Sequence, residues 1–409
     1  TELDALNGGN GDYAGASLTV ARNGGADASD SFGFDTDGAG FMVNGSDLED
    51  GGQAFASFTN SGGTLTINFT GASTTATSTL VDEVLQRITY ANTANDPDAS
   101  VTLDYIFNDG ISDSSGSNQA TVSITNVNDA PTLSATGQDP TYIEGNAGAD
   151  LYSGVTASAV EAADRFTGMS LTVTNVSDGA DEILAFDGSD IALTNGNSVT
   201  TDNNGLGVTV TVAGSTATVS FSDGLLTNDQ MQTLVDAMNY RNESDNPTTA
   251  GNRVVTITGI TDNGGTANGG VNVAAPNLTT TVSLTGVNDA PVIGNVNGDT
   301  SDVIAGSGAV AISGFGDATV TNIDSADYNG GFLTLAQNTG TTNGNWFVDG
   351  TTARSGGDGT ISAGETIQVD GTTIGTVDGV DDGQGGNDLT INFNSANATN
   401  ARVETLIQN

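Results

Sequence analysis

The residues of this chain that can do chemistry are oxygen donors, and they recur. Asn and Asp stand together in the string VNDAP at Val127–Pro131 and again at Val287–Pro291, 160 residues apart. Acids also recur just ahead of a strand-like LTV or LTL pattern. Asp4 and Asp12 precede AGASLTV, Glu161 and Asp164 precede FTGMSLTV, and Asp324 and Asp327 precede NGGFLTL. A turn needs one Asp to accept a backbone N–H; it rarely needs two, three times over. Asp109 (FNDG) and Asp262 (TDNGG) occupy equivalent loops, expected near the distal end of each repeat. Carboxylates and carboxamides gathered without nitrogen or sulfur are the ligand set of a hard cation such as calcium.

Composition sharpens this. The 409 residues include 50 Asp plus Glu against 7 basic residues, all Arg, for a formal net charge of -43; Lys, His and Cys are absent. Such a chain lacks the clustered cations that bind phosphate, so nucleic acid and anionic membrane surfaces are excluded as partners. No Cys means no disulfide, zinc thiolate or Cys nucleophile, and no His removes the Ser-His-Asp triad and most transition-metal chemistry. No apolar run approaches the ~20 residues of a membrane helix, so no membrane insertion is expected. The opening TELDALNGG has no signal-peptide pattern. The competing account of the charge is a solvated acidic surface, as in salt-adapted proteins.

The elements that must position these acids are short strands. ASLTVA, GTLTINF, ASVTLDYIF, VTVTVAGSTATVSF, RVVTITGI and DLTINF alternate Thr, Ser or Asn with Val, Ile or Leu, the period of half-buried antiparallel strands. Gly, Asn and Asp clusters punctuate them, and Gly214-Ser215 reads as a hairpin turn. Only short helices are expected, in TLVDEVLQ, MQTLVDAM and ARVETLIQN, the first burying Leu80, Val84 and Leu85. VNDAP, these helices and the twice-used LTINF agree on a period of about 160 residues, a usual domain size. The division is 1–131, lacking its beginning, a complete 132–289, and 290–409, lacking its end. The fold class is all-β: tandem Ig-like β-sandwich modules, each with one short helix.

Asn128-Asp129-Ala130-Pro131 and Asn288-Asp289-Ala290-Pro291 resemble the linker of cadherin repeats, Asp-x-Asn-Asp-Asn-Ala-Pro. The modules are similar to the cadherin-like repeats of giant bacterial surface adhesins secreted by type I systems, of the RTX type. The first linker Asp is replaced by Asn126 and Gly286, and the second Asn is missing. The resemblance therefore implies one or two calcium ions per joint rather than a three-ion cluster. It also makes Glu144, in YIEGNAG just past the first linker, a ligand; Ala305 stands there in the next module, so the second joint would lack it.

Two motifs are discounted. DGTISAGE (358–365) matches the end of an EF-hand loop, but Arg354 and Gly356 fill its first carboxylate positions, so a strand and turn are expected. GQGGNDL and GNAGADL each match one glycine-aspartate nonapeptide, and a β-roll needs several in phase. Catalysis is not expected: the acids recur in every module, and one Trp in 409 residues gives no aromatic sugar platform. The expected protein is a calcium-rigidified extender in a linear rod, part of an extracellular adhesin or biofilm matrix protein at the bacterial surface. Its partners would be calcium and neighbouring modules. The alternatives are a self-assembling sheath, surface-layer or filament protein contacting like chains, and a calcium-dependent carbohydrate-binding module contacting surface glycans.

Overall fold

The computed structural model of the chain describes residues 12–70, 76–116, 118–298, 300–302, 304, 316–338, 344–348, 353–355 and 361–409. It is an all-β protein with three α-helices among the described residues: α1 (Ser78–Arg87), α2 (Asn228–Asp236) and α3 (Asn400–Gln408). The main sheets have seven, eight and five strands, and no described sheet mixes strands from opposite sides of a VNDAP string. Three separate cores follow the same partition. Their buried residues run from Ala16 to Leu103, from Leu133 to Leu284, and from Val320 to Leu406.

One local plan recurs in all three. The LTV-type strand lies antiparallel to an LTINF-type strand in a shared register: Leu18 pairs with Ile67, Leu171 with Val219, and Leu333 with Ile391. The alternation works as it should, since TATVSF (Thr216–Phe221) buries every second residue. Hydroxyls pair across strands, Thr256 with Thr279 at 3.2 Å on an exposed face and Thr334 with the buried Thr390 at 2.8 Å. Gly214, at φ 63°, closes the expected two-residue hairpin between Ala213 and Thr216. In the second segment Leu171 and Val219 of the large sheet share one core with Leu184, Phe186 and Tyr240 of a four-stranded sheet.

Each helix follows a Thr N-cap (Thr77, Thr227, Thr399) and lays an apolar stripe on its core. In α2 the cap is a full box, Thr227 and Gln230 satisfying each other's backbone N–H. In α1 the buried residues are Leu80, Val81 and Val84, with Leu85 only half-buried. One pairing departs from the antiparallel expectation. Thr141–Ile143 pairs in parallel with Leu278–Thr285, Ile143 opposite Thr285. The residue after this strand is thereby carried to the far end of the second segment.

Candidate metal centres

At the first VNDAP the linker is clamped by loops of the segment that follows. Asn128 Nδ2 donates to Val271 O at 2.6 Å and to Asp262 Oδ1 at 3.2 Å, and Val271 N–H donates back to Asn128 O at 2.9 Å. With the amide nitrogen so occupied, Asn128 Oδ1 is buried without a hydrogen-bond partner. The Asp129 N–H donates to Glu161 Oε1 at 2.8 Å, leaving Glu161 Oε2 buried and unpartnered. Asp262 Oδ1 also accepts from Gly264 N–H at 3.0 Å, and its Oδ2 is likewise buried and unpartnered. Two carboxylates and a carboxamide, from three stretches of chain, thus end in orphaned oxygens at one linker. Each such oxygen costs about 1–3 kcal/mol when nothing answers it.

The local backbone is bent to make this arrangement. Val160 has φ 68°, a conformation rarely adopted by a β-branched residue, at the centre of a turn closed by Glu161 N–H to Ala159 O at 2.9 Å. Gly264 is required for a different reason: a Cβ built there would overlap both Asn128 Oδ1 and Asp164 Oδ2. Burial, then the charges of Asp262 and Asp96, push the Asp164 carboxyl above its ordinary range. Burial also raises Asp262, with Glu161 adding to it, against the opposing bonds from Gly264 and Asn128. Desolvation plus like charge is the environment that a bound cation relieves.

The second VNDAP repeats the scheme. The Asp289 N–H donates to Asp324 Oδ2 at 2.6 Å, and Asp324 Oδ1, Asp289 Oδ2 and Asn322 Oδ1 are buried without partners. Again two carboxylates and one carboxamide are orphaned. Among the described residues no three Asp or Glu side chains group closely enough to hold a metal by themselves. At each linker the orphaned set therefore comprises two carboxylates and one carboxamide. That donor set, all hard oxygen, fits calcium.

The preceding segment reaches across each linker. Asp96 accepts from Asn126 Nδ2 at 3.1 Å and from the Ala162 N–H at 2.9 Å, within the acidic loop. Asn246 Nδ2 donates to Ile323 O at 2.8 Å, in the corresponding loop of the third segment. Neither residue figured among the candidate ligands. A signal existed, since Asn-Asp-Pro (95–97) and Asp-Asn-Pro (245–247) come at the same distance after ITYAN (88–92) and MNYRN (238–242), the stretches that follow the first two helices.

Of the expected ligands, Asn128, Asp129, Glu161, Asp164 and Asp262 converge on the first linker, and Asp289 and Asp324 on the second. Glu144 is a correction: it stands at the second linker, not the first. The parallel strand pairing carries it there, its N–H bonding Thr285 O at 3.0 Å and its Oε2 accepting from Val287 N–H at 2.7 Å. Asp262 is corrected in the opposite sense, because its strand runs antiparallel to Phe166–Val173 and returns it to the start of its segment. Asn288 is exposed, its Nδ2 donating to Asp289 O at 3.0 Å, and it takes no part in the second centre.

The remaining candidates cap turns. Asp12 accepts from Ala14 N–H and Asp327 from Asn329 N–H, both at 3.0 Å, in matching geometry. Asp109 accepts from Ser112 and Ile111 N–H, which hold its carboxyl below the usual range. It lies at the same end of the first segment as Asp12, where Tyr13 and Phe107 stack edge to face at 5.6 Å. Asp4, Ala305 and 358–360 lie outside the described residues. In the rest of the discounted EF-hand stretch, Glu365 caps a turn by accepting from Ser362 N–H at 3.1 Å, ahead of the strand Thr366–Val369.

No family model matches the chain, and no curated protein matches it. Among solved structures, an endo-fucoidan hydrolase of glycoside hydrolase family 107 aligns at 13% identity over 66% of this chain, with a TM-score of 0.11. The chain spans 26% of that protein's length. A likeness of that degree carries no argument about fold or activity.

Proposed function

We propose that the chain is a calcium-rigidified extender: tandem cadherin-like, Ig-like modules (1–131, 132–289 and 290–409) arranged as a rod and stiffened where they join. The observation that carries this reading is the paired set of orphaned buried oxygens, two carboxylates and a carboxamide at each VNDAP linker. A surface acid that only solvates would face water; these do not. A cation bound to groups of two adjoining segments links them, and its binding free energy becomes stiffening free energy. It also offsets part of the self-repulsion of a chain carrying -43. Asn128, Glu161, Asp262 and the neighbouring Asp164 would hold the ion at the first joint, and Asp289, Asn322 and Asp324 at the second. No catalytic step belongs to this reading. Its setting is outside the cell, where calcium is abundant, in an adhesin or biofilm matrix protein.

Small-angle scattering and thermal melts of the chain in millimolar calcium, in chelator, and in magnesium at equal ionic strength test it. Calcium alone should lengthen the particle and raise the melting temperature. Equal behaviour in calcium and magnesium would sink the reading. One observation favours a second: among the described residues the strand Phe332–Leu335 is paired on one side only, with Phe332 70% exposed, whereas Ser17–Arg22 and Phe166–Val173 are paired on both sides. An open edge can take a strand from a like chain, as a self-assembling surface or filament protein would require. Filaments on electron micrographs that persist in chelator would favour it.

A further inference from the structure

Away from the orphaned oxygens, one buried polar arrangement occurs twice, each time at the end of a segment nearest the following linker. In the first segment Arg22 grips Asp30 with two bonds, Nε to Oδ2 at 2.9 Å and Nη2 to Oδ1 at 2.8 Å. Tyr90 Oη and Asn92 Nδ2 donate to the same Oδ1 at 2.6 and 2.8 Å. In the second segment Arg253 grips Glu182, Nη2 to Oε1 at 2.9 Å and Nε to Oε2 at 3.1 Å, both side chains fully buried. Tyr240 Oη donates to Glu182 Oε2 at 2.8 Å, and Asn242 Nδ2 to Asp178 Oδ2 at 2.6 Å, which Arg253 also reaches at 3.2 Å. In a chain with seven basic residues, two are committed to this one arrangement.

The two sets place their arginine on different strands. Val20 pairs with Tyr105 and Val173 with Val255, so Arg253 occupies the place of Leu103, which is the residue that Arg22 pairs with. The guanidinium therefore comes from opposite members of one cross-strand pair, yet meets a carboxylate, a Tyr and the Asn two residues on. The arrangement repeats although the arginine's position does not.

Its output is a loop. Asn92 Oδ1 accepts from Ala94 N–H at 2.9 Å, and Asn242 Oδ1 from Ser244 N–H at 3.0 Å. Each bond opens the loop that presents Asp96 or Asn246, six residues past the Tyr, to the next segment. Arg253 holds that loop directly as well, Nη1 donating to Thr248 O at 2.7 Å.

We infer that these sets are positioning latches for the joints. The Arg–carboxylate pair fixes the Tyr-x-Asn strand end, and through it the loop that braces the acidic loop across the linker. Each candidate metal centre is thus pre-set by the segment before it. The inference rests on the linkers being cation-stiffened joints, but its test reads mechanical coupling whether or not calcium binds.

The test is hydrogen exchange by mass spectrometry on the 409-residue chain, as wild type, Arg22→Gln, Arg22→Lys and Asp96→Ala, each in calcium and in chelator. Arg22→Gln should speed exchange about tenfold at 93–98 and, across the linker, at 161–164, where the Ala162 N–H rests on Asp96. Strands 17–21 and 64–69 should stay protected, as should 245–247 and 322–326 at the second joint. Arg22→Lys keeps the charge without the two-pronged geometry and should fall between. Asp96→Ala should free 161–164 while 90–92 stays slow. Faster exchange throughout the first segment would make Arg22 a core residue only, and release of 93–98 with 161–164 unchanged would break the coupling; either overturns the latch. Failure of the calcium reading shows separately, as wild-type exchange identical in calcium and chelator.

Discussion

The two linkers carry the same five residues and reach different degrees of closure. At the first, Asn128 is buried by Asp262 and Val271, contributed by the strand Arg253–Asp262 and the loop beyond it. At the second, Asn288 is exposed, and the strand Phe332–Leu335 has no described partner on the side where Arg253–Asp262 lies in the second segment. The difference separates two layers in the design. The inner layer, an acid receiving the linker Asp N–H, forms at both joints. The outer layer, which turns the linker Asn inward, is built at the first linker from Asp262 of the returning strand and Val271 beyond it.

The largest expected effect erases this difference. Gly264→Ala places a methyl against Asn128 and Asp164, and should weaken calcium binding at the first joint at least about tenfold, roughly 1.4 kcal/mol. Calorimetric titration of the whole chain should then show two similar weak classes of site instead of two unequal ones. Next, Asn128→Ala should destabilise the second segment by about 1 kcal/mol through the acceptors, Val271 O and Asp262 Oδ1, that it abandons, whereas Asn288→Ala should stay within about 0.5 kcal/mol. Paired denaturant melts measure both; equal costs would remove the distinction between layers.

The smallest effect is a pH dependence of opposite signs. In chelator, Asp164 and Asp262 bind protons above the ordinary 3.8, so the folded chain holds more protons than the unfolded one in that window. Stability should rise as pH falls through it. The Arg22 bonds hold Asp30 below 3.8; at Asp178, bonds from Thr248 and Asn242 and the charge of Arg253 outweigh desolvation and do the same. Their contribution is present above 3.8 and is lost as pH falls through the lowered values. Melts stepped through this range should climb and then drop in chelator. Calcium bound at the joints as proposed would keep these acids ionised, so that in calcium only the drop should remain.

Much of the fold was legible in local pattern. Alternation marked the strands, and Thr77, Thr227 and Thr399 sit where caps belong. Of the acid pairs before LTV-type strands, Glu161, Asp164 and Asp324 stand at a linker, whereas Asp12 and Asp327 cap turns. Glu144 was misread for a physical reason: nothing in YIEG says that its strand pairs in parallel and delivers the acid to the far end. Asp262 was misplaced because an antiparallel return is invisible until its partner strand is known. Asp96 and Asn246 look like ordinary residues before Pro, and only their bonds across the linker set them apart.

By itself the sequence determined the chemistry and the repetition. A repertoire of acids and amides without Lys, His or Cys and a period of two are properties of composition and near neighbours, independent of the rest of the chain. Tertiary structure alone decided which oxygens meet at which linker, which of them are left without a partner, and from which strand each arginine reaches its carboxylate. Those outcomes depend on strand pairings between residues up to about 140 positions apart, and a cross-strand neighbour leaves no mark in the local order of residues.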